Sequence, residues 1–156
     1  MLLFQKIKYF DASAQKLVEG EVLVKDGLIA DFGASLGGPD GAEIIEAEGA
    51  ILSPGLVDIR ASFGEPIASL ATAAAAGGIT TIAVLPDSTP AIDDPALVRL
   101  ITARGQESGT LTLLPYAAAT RGCAGVELAE YGLLKTAGAV AFTDGARSIA
   151  SARLMR

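Results

Sequence analysis

The chain has 156 residues, of which 51% are hydrophobic, 19% charged and only 5% aromatic. Such a chain can bury enough apolar surface to offset the entropy of ordering, so its composition excludes a disordered segment and points to an aliphatic core. Lys plus Arg number 12 against 18 Asp plus Glu, a net charge of −6 with no basic stripe, which argues against nucleic acid and anionic membrane surfaces as partners.

The first residues place Lys6 and Lys8 after the apolar Leu2, Leu3 and Phe4, the reverse of a secretory signal. Cys123 is the only cysteine, so no internal disulfide forms, and a cytoplasmic setting is expected. Residues 1–50 read as short antiparallel strands. Asp26-Gly27 separates Glu21–Lys25 from Leu28–Gly33, the signature of a two-residue hairpin whose turn needs positive φ at both positions. Gly37-Gly38-Pro39-Asp40-Gly41 is a loop, and Ala42–Ala47 is another short strand. This β-layer is too small to be stable alone.

The pattern changes near Ala50. Ile51–Ile59 is an apolar run with a Pro54-Gly55 kink, read as a first buried strand. Residues 67–76 are Ala-rich and helix-like, and Ile79–Leu85 suits a strand buried on both faces. The whole stretch Ile67–Leu85 carries no charge and nears the ~20 residues of a membrane span. Its Gly77-Gly78 break and β-branched second half favour a helix running into a strand. Asp93-Asp94-Pro95 starts a helix that reaches about Gln106. A strand at Thr110–Leu114, a helix at Glu127–Thr136, a strand at Ala139–Phe142 and a helix at Ser148–Arg156 complete an alternating β-α order, which implies parallel βαβ units. Right-handed crossovers allow either an open doubly wound sheet or half of a (β/α)8 barrel. Half a barrel exposes strand edges and an apolar face. Either a further part of the chain is therefore missing after Arg156, or another chain, such as a second copy in a homo-oligomer, covers that surface.

Four segments carry a resemblance. They are Ser53-Pro54-Gly55-Leu56-Val57-Asp58 with Phe63-Gly64-Glu65-Pro66, then Ala73–Thr81, then Leu85-Pro86-Asp87-Ser88-Thr89-Pro90, and Leu134–Asp144 followed by Ala152–Arg156. In this order and spacing the chain resembles the dihydroorotase branch of the amidohydrolase superfamily over nearly its whole length. The resemblance implies an α/β fold: about the first four βα units of a (β/α)8 TIM-type barrel over residues 51–156, preceded in residues 1–50 by the N-terminal part of a composite β-sandwich. It also implies a hydrolase of pyrimidine biosynthesis that interconverts N-carbamoyl-aspartate and dihydroorotate.

In that family Pro-Gly-Leu-Val-Asp leads into a His-x-His pair that binds zinc at the barrel mouth. Alternate strand residues face the same side, so two such imidazoles can grip one ion, which lowers the pKa of a bound water to about 7. This chain has no histidine. The two histidine positions are Arg60, a permanent cation, and Ser62, a poor zinc ligand. Gly64 stands where the family places a substrate-gripping arginine. Asp87 stands where it places an asparagine, and a carboxylate there would repel a substrate carboxylate. Asp144 matches the metal-contacting aspartate of the family's Ser-Asp-Asp-Gly segment, but the next residue is Gly145. The stretch between Pro66 and the alanine run is shorter than is usual in the family. The combined departures resemble non-catalytic dihydroorotase-like proteins, which serve as structural partners of aspartate transcarbamoylase, so no cofactor is expected here although active relatives hold zinc. Two further readings stay open: an active metal-dependent cyclic amidohydrolase with its other ligands in a missing C-terminal part, and a small-molecule binder without turnover.

Bland readings stand beside these. Asp144 is a turn residue or a leftover ligand, the former preferred. Arg60 is an anion site or, preferably, pairs with Glu65 or Asp144. Asp58 reads as a structural hydrogen-bonding residue, Cys123 as an inert thiol and Gly77-Gly78 as a turn without the Lys-Ser or Lys-Thr ending of a phosphate loop.

Overall fold

The computed structural model describes residues 1–62 and 66–156. The chain forms two compact units, Met1–Pro54 and Gly55–Arg156.

In the first unit β1 (Leu2–Asp11), β2 (Lys16–Lys25) and β3 (Leu28–Gly33) form an antiparallel meander. The Asp26-Gly27 hairpin is present as expected: Asp26 has φ 52°, Gly27 has φ 77°, and Lys25 pairs with Leu28 across the turn. β4 (Glu43–Glu46) and β5 (Ile51–Leu52), however, lie parallel to β1, which corrects the expectation of antiparallel strands throughout. The reason is directional. β3 already runs the same way as β1, and the loop over residues 34–42 returns the chain to the free edge of β1 in the order β3-β2-β1-β4, so β4 runs that way again. Buried Leu3, Ile7 and Val22 anchor these strands.

The apolar run Ile51–Ile59 is not one strand. Pro54-Gly55 splits it: Ile51 and Leu52 pair with Lys8 and Tyr9, while β6 (Leu56–Ala61) begins the second sheet. That sheet continues through α1 (Ile67–Ala76), β7 (Ile79–Val84), α2 (Pro95–Ser108), β8 (Thr112–Ala118), α3 (Tyr131–Ala137) and β9 (Ala141–Thr143). Its strand order is β6-β7-β8-β9, with every pair parallel. This is a curled half of a (β/α)8 barrel, as the resemblance implied, and not the open doubly wound sheet that the alternation also allowed. α1 stops after ten residues at Gly77-Gly78, and among the described residues no helix is long and apolar enough to cross a membrane. The Asp94 side chain caps α2 by accepting from Ala96 N at 2.7 Å, with Pro95 in the first turn, and Gly109 at φ 68° ends it.

The core lies between the helices and the sheet. Ile82, Val84, Ile92, Val98, Ile101, Leu113 and Leu134 are all buried within it. The opposite situation holds at β6. Among the described residues its one hydrogen-bonded neighbour is β7, and Leu56, Val57 and Ile59 remain 59%, 58% and 68% exposed.

Further element expectations need correction. β8 begins later than expected and runs on to Ala118 through Pro115. A proline removes a ladder donor, but the Pro115 carbonyl still accepts from Val140 N at 3.0 Å. α3 starts at Tyr131, because the backbone of residues 127–129 is committed elsewhere: Glu127 O accepts from Arg121 N, and Ala129 N donates to Ala119 O. Residues 148–156 form no helix. Ser151 O accepts from Leu154 N and Met155 N, a single turn with too few bonds to repay nucleation.

Candidate functional site at the strand ends

The described sequence-derived positions, Arg60, Ser62, Asp87 and Asp144, lie at or after the C-terminal ends of β6, β7 and β9, at the end of the sheet where parallel α/β folds place their chemistry. On β6 the half-buried Asp58 accepts the Arg60 N–H at 2.9 Å, so it fixes the strand end. Arg60 and Ser62 are exposed. Gly64 and Glu65 lie outside the described residues, and with them the expected Arg60–Glu65 pair. Among the described residues no ion pair joins Arg60 to Asp144. That expectation is corrected, because Asp144 is satisfied by another group.

That group is Thr120, after β8. Asp144 follows β9 directly and is 3% exposed, and Thr120 is 0% exposed. Asp144 Oδ1 accepts the Thr120 N–H at 2.8 Å, and Oδ2 accepts the Thr120 hydroxyl. The Thr120 hydroxyl oxygen in turn accepts the Gly125 N–H at 2.7 Å. Two further carboxylates act in the same manner. Asp87 Oδ2, after β7, accepts the Ala146 N–H at 3.1 Å, and Asp93 Oδ2 accepts the Gly122 N–H at 2.8 Å. In the sequence Asp93 marks only a helix start, and Thr120 carries no mark of its own. Nothing local marks either, because their partners lie 29 and 24 residues away.

Cys123 sits inside this ring of acids, 2% exposed, with its thiol directed to Pro86 O at 3.7 Å. Burial and then the charges of Asp144 and Asp87 push the thiol up to about 11, with Asp93 adding to the effect and Arg147 opposing it. An inert thiol therefore fits the geometry. Folded Cys123 is expected to resist iodoacetamide at pH 8 and to react freely in urea; fast labelling of the folded protein would contradict the burial. The folded state holds this proton more tightly than the unfolded one, so stability is full below about pH 9 and falls as pH rises toward about 11.

Beside Asp144 a cavity of ≈ 560 Å³ opens, lined by Ala119, Tyr131, Phe142 and Arg147 among others. The Tyr131 and Phe142 rings lie 4.6 Å apart, and the Tyr131 hydroxyl donates to Ala119 O at 2.8 Å. Partial burial, and then the Asp144 charge, raise the Tyr131 phenol above its ordinary range.

Residues 49–156 match the family model described as dihydro-orotase-like. The chain belongs to the dihydroorotase-like family of the amidohydrolase superfamily. Curated dihydroorotases agree: that of Pelobacter propionicus is 41% identical over 99% of this chain and 38% of its own length, and that of Sulfurihydrogenibium sp. is 41% identical over 87% of this chain and 34% of its own. The chain thus spans little more than a third of these relatives. Among solved structures, the L-hydantoinase (dihydropyrimidinase) of Arthrobacter aurescens superposes with a TM-score of 0.68 at 22% identity, over 90% of this chain and 32% of that one, which supports the amidohydrolase fold.

The resemblance implies zinc in the active relatives, and zinc needs three or four nitrogen, sulfur or carboxylate donors converging on one point. The residues at these strand ends do not fit that demand. Arg60 and Ser62, the positions at which the resemblance expects paired imidazoles, offer a guanidinium and a hydroxyl, and both Asp144 oxygens are engaged by Thr120. Among the described residues no group of three or more His, Cys, Asp or Glu side chains is placed to hold a metal ion.

Proposed function

We propose that this protein is a non-catalytic dihydroorotase-like member of the family that works in the cytoplasm, in pyrimidine biosynthesis, as a structural partner of aspartate transcarbamoylase. The observation that carries the reading is the donor set at the strand ends: a guanidinium and a hydroxyl stand at the two histidine positions. An arginine there places a fixed positive charge where a dication would bind.

Mixing the full-length protein with aspartate transcarbamoylase and measuring mass by light scattering tests the reading. A defined larger complex is expected, whereas two independent species at micromolar concentrations would overturn it. A second reading, an active metal-dependent cyclic amidohydrolase, is favoured by the names of the curated relatives and by the aspartate kept at position 144. Elemental analysis of the full-length protein separates the two. Near-stoichiometric zinc that is lost on changing Asp144 supports the active enzyme, and its absence supports the scaffold.

A further inference from the structure

We infer that Asp87 and Gly145 form a coupled latch that fastens the loop after β7 to the turn after β9, so that the strand-end loops of the half-barrel are held to one another by carboxylates and need no metal to stay in place. The inference does not depend on what the protein associates with.

The geometry begins at Gly145. It has φ +66°, in the left-handed region that an L side chain adopts only at a cost. A Cβ built there would fall on the carboxylate of Asp87, overlapping its Cγ and Oδ2. Asp87 thus lies flat over a residue that has no side chain. From that position its Oδ2 accepts the N–H of the next residue, Ala146, at 3.1 Å, across 59 residues of sequence. The bare backbone at 145 and the carboxylate at 87 each depend on the other: a side chain at 145 displaces the carboxylate, and without the carboxylate the Ala146 amide loses its acceptor.

The neighbouring carboxylates extend the same fastening. Asp144 holds Thr120, whose hydroxyl holds Gly125, and Asp93 holds Gly122. The loops after β7, β8 and β9 are thereby tied together, each through a carboxylate and a backbone N–H of another loop. Bonds to an ionised acceptor are the stronger class of hydrogen bond. These are also two of the positions at which the chain departs from the dihydroorotase pattern, an aspartate at 87 and a glycine at 145. In this geometry the two departures fit each other sterically. A second aspartate at 145 would overlap Asp87 and set two like charges in contact.

A double-mutant cycle on the full-length protein tests the coupling. Gly145→Ala is expected to raise the unfolding equilibrium constant by roughly a hundredfold in the native background, through overlap and backbone strain together, but only about tenfold in an Asp87→Gly background, which also removes the Asp87 Cβ that would lie 2.9 Å from the new methyl, so that strain alone remains. Equal effects in the two backgrounds would overturn the latch. If Gly145→Ala alone does not fold, recovery of folding in the double variant supports it. Should neither fold, hydrogen exchange decides. The Ala146 amide is expected to lose protection at least tenfold in Asp87→Ala and to keep most of it in Asp87→Asn, which retains an acceptor oxygen. Unchanged protection in Asp87→Ala overturns the inference. Loss of Ala146 protection when a chelator is added to the unaltered protein does so equally.

Discussion

Asp144→Ala is expected to destabilise the protein by roughly 2–5 kcal/mol, although it removes a buried negative charge. Thr120 N and Thr120 Oγ1 both donate to this carboxylate, and Thr120 is fully buried. Truncation takes the acceptor from two buried donors, and each group left unsatisfied costs about 1–3 kcal/mol. The hydroxyl can turn to another acceptor, whereas the backbone N–H cannot. Asp144→Asn keeps one acceptor oxygen for that N–H and is expected to cost about half as much. Urea denaturation of the three proteins measures this. If Asp144 were retained as a metal ligand alone, the alanine variant of the metal-free protein would be neutral or stabilised, because it would shed an unpaired buried charge.

Leu134→Ala is expected to be the most damaging conservative truncation, at about 2–5 kcal/mol, with a fall in Tm on the order of 10–20 °C. Leu134 is 0% exposed and belongs to the cluster that contains Val98, Ile101 and Leu113. α3 has only seven residues, too short to persist without its packing. This side chain is the helix's one fully buried anchor. Its backbone also carries the helix end, since Leu134 O accepts from Ala139 N at 3.1 Å. Loss of packing here loosens the segment that leads into β9 and thus into Asp144. A thermal melt checks the magnitude. A shift of only a degree or two would mean that the neighbours collapse into the space.

Much of this was legible in the sequence wherever the cause is local. Asp94-Pro95 announced a helix start because an Asx cap and a proline act within one turn. Asp26-Gly27 announced a hairpin because two residues set the turn. The family was legible because four segments kept both order and spacing. What the sequence hid depends on distant partners. Pro115 looks like a strand breaker until its carbonyl is seen to accept from Val140. Residues 127–129 look helical until Leu128 is seen bridged to Thr120. At the site, the identities of Arg60, Ser62 and Asp87 can be read in the sequence, but not that Asp144 is held by Thr120 or that Asp87 lies against Gly145. No spacing rule joins residues 24 or 59 positions apart.

The turn at Asp26-Gly27 has a consequence in time. β2 and β3 meet across two residues, so their pairing closes on the microsecond scale of an isolated hairpin, ~1–10 μs. The parallel partners of β1 join later, because Leu2 meets Glu43 and Lys8 meets Ile51 only after a long stretch of chain has been gathered in. The first unit is thus expected to nucleate at one end and close at the other. Changes at Asp26 or Gly27 should slow its folding, while changes in β4 or β5 should chiefly speed its unfolding.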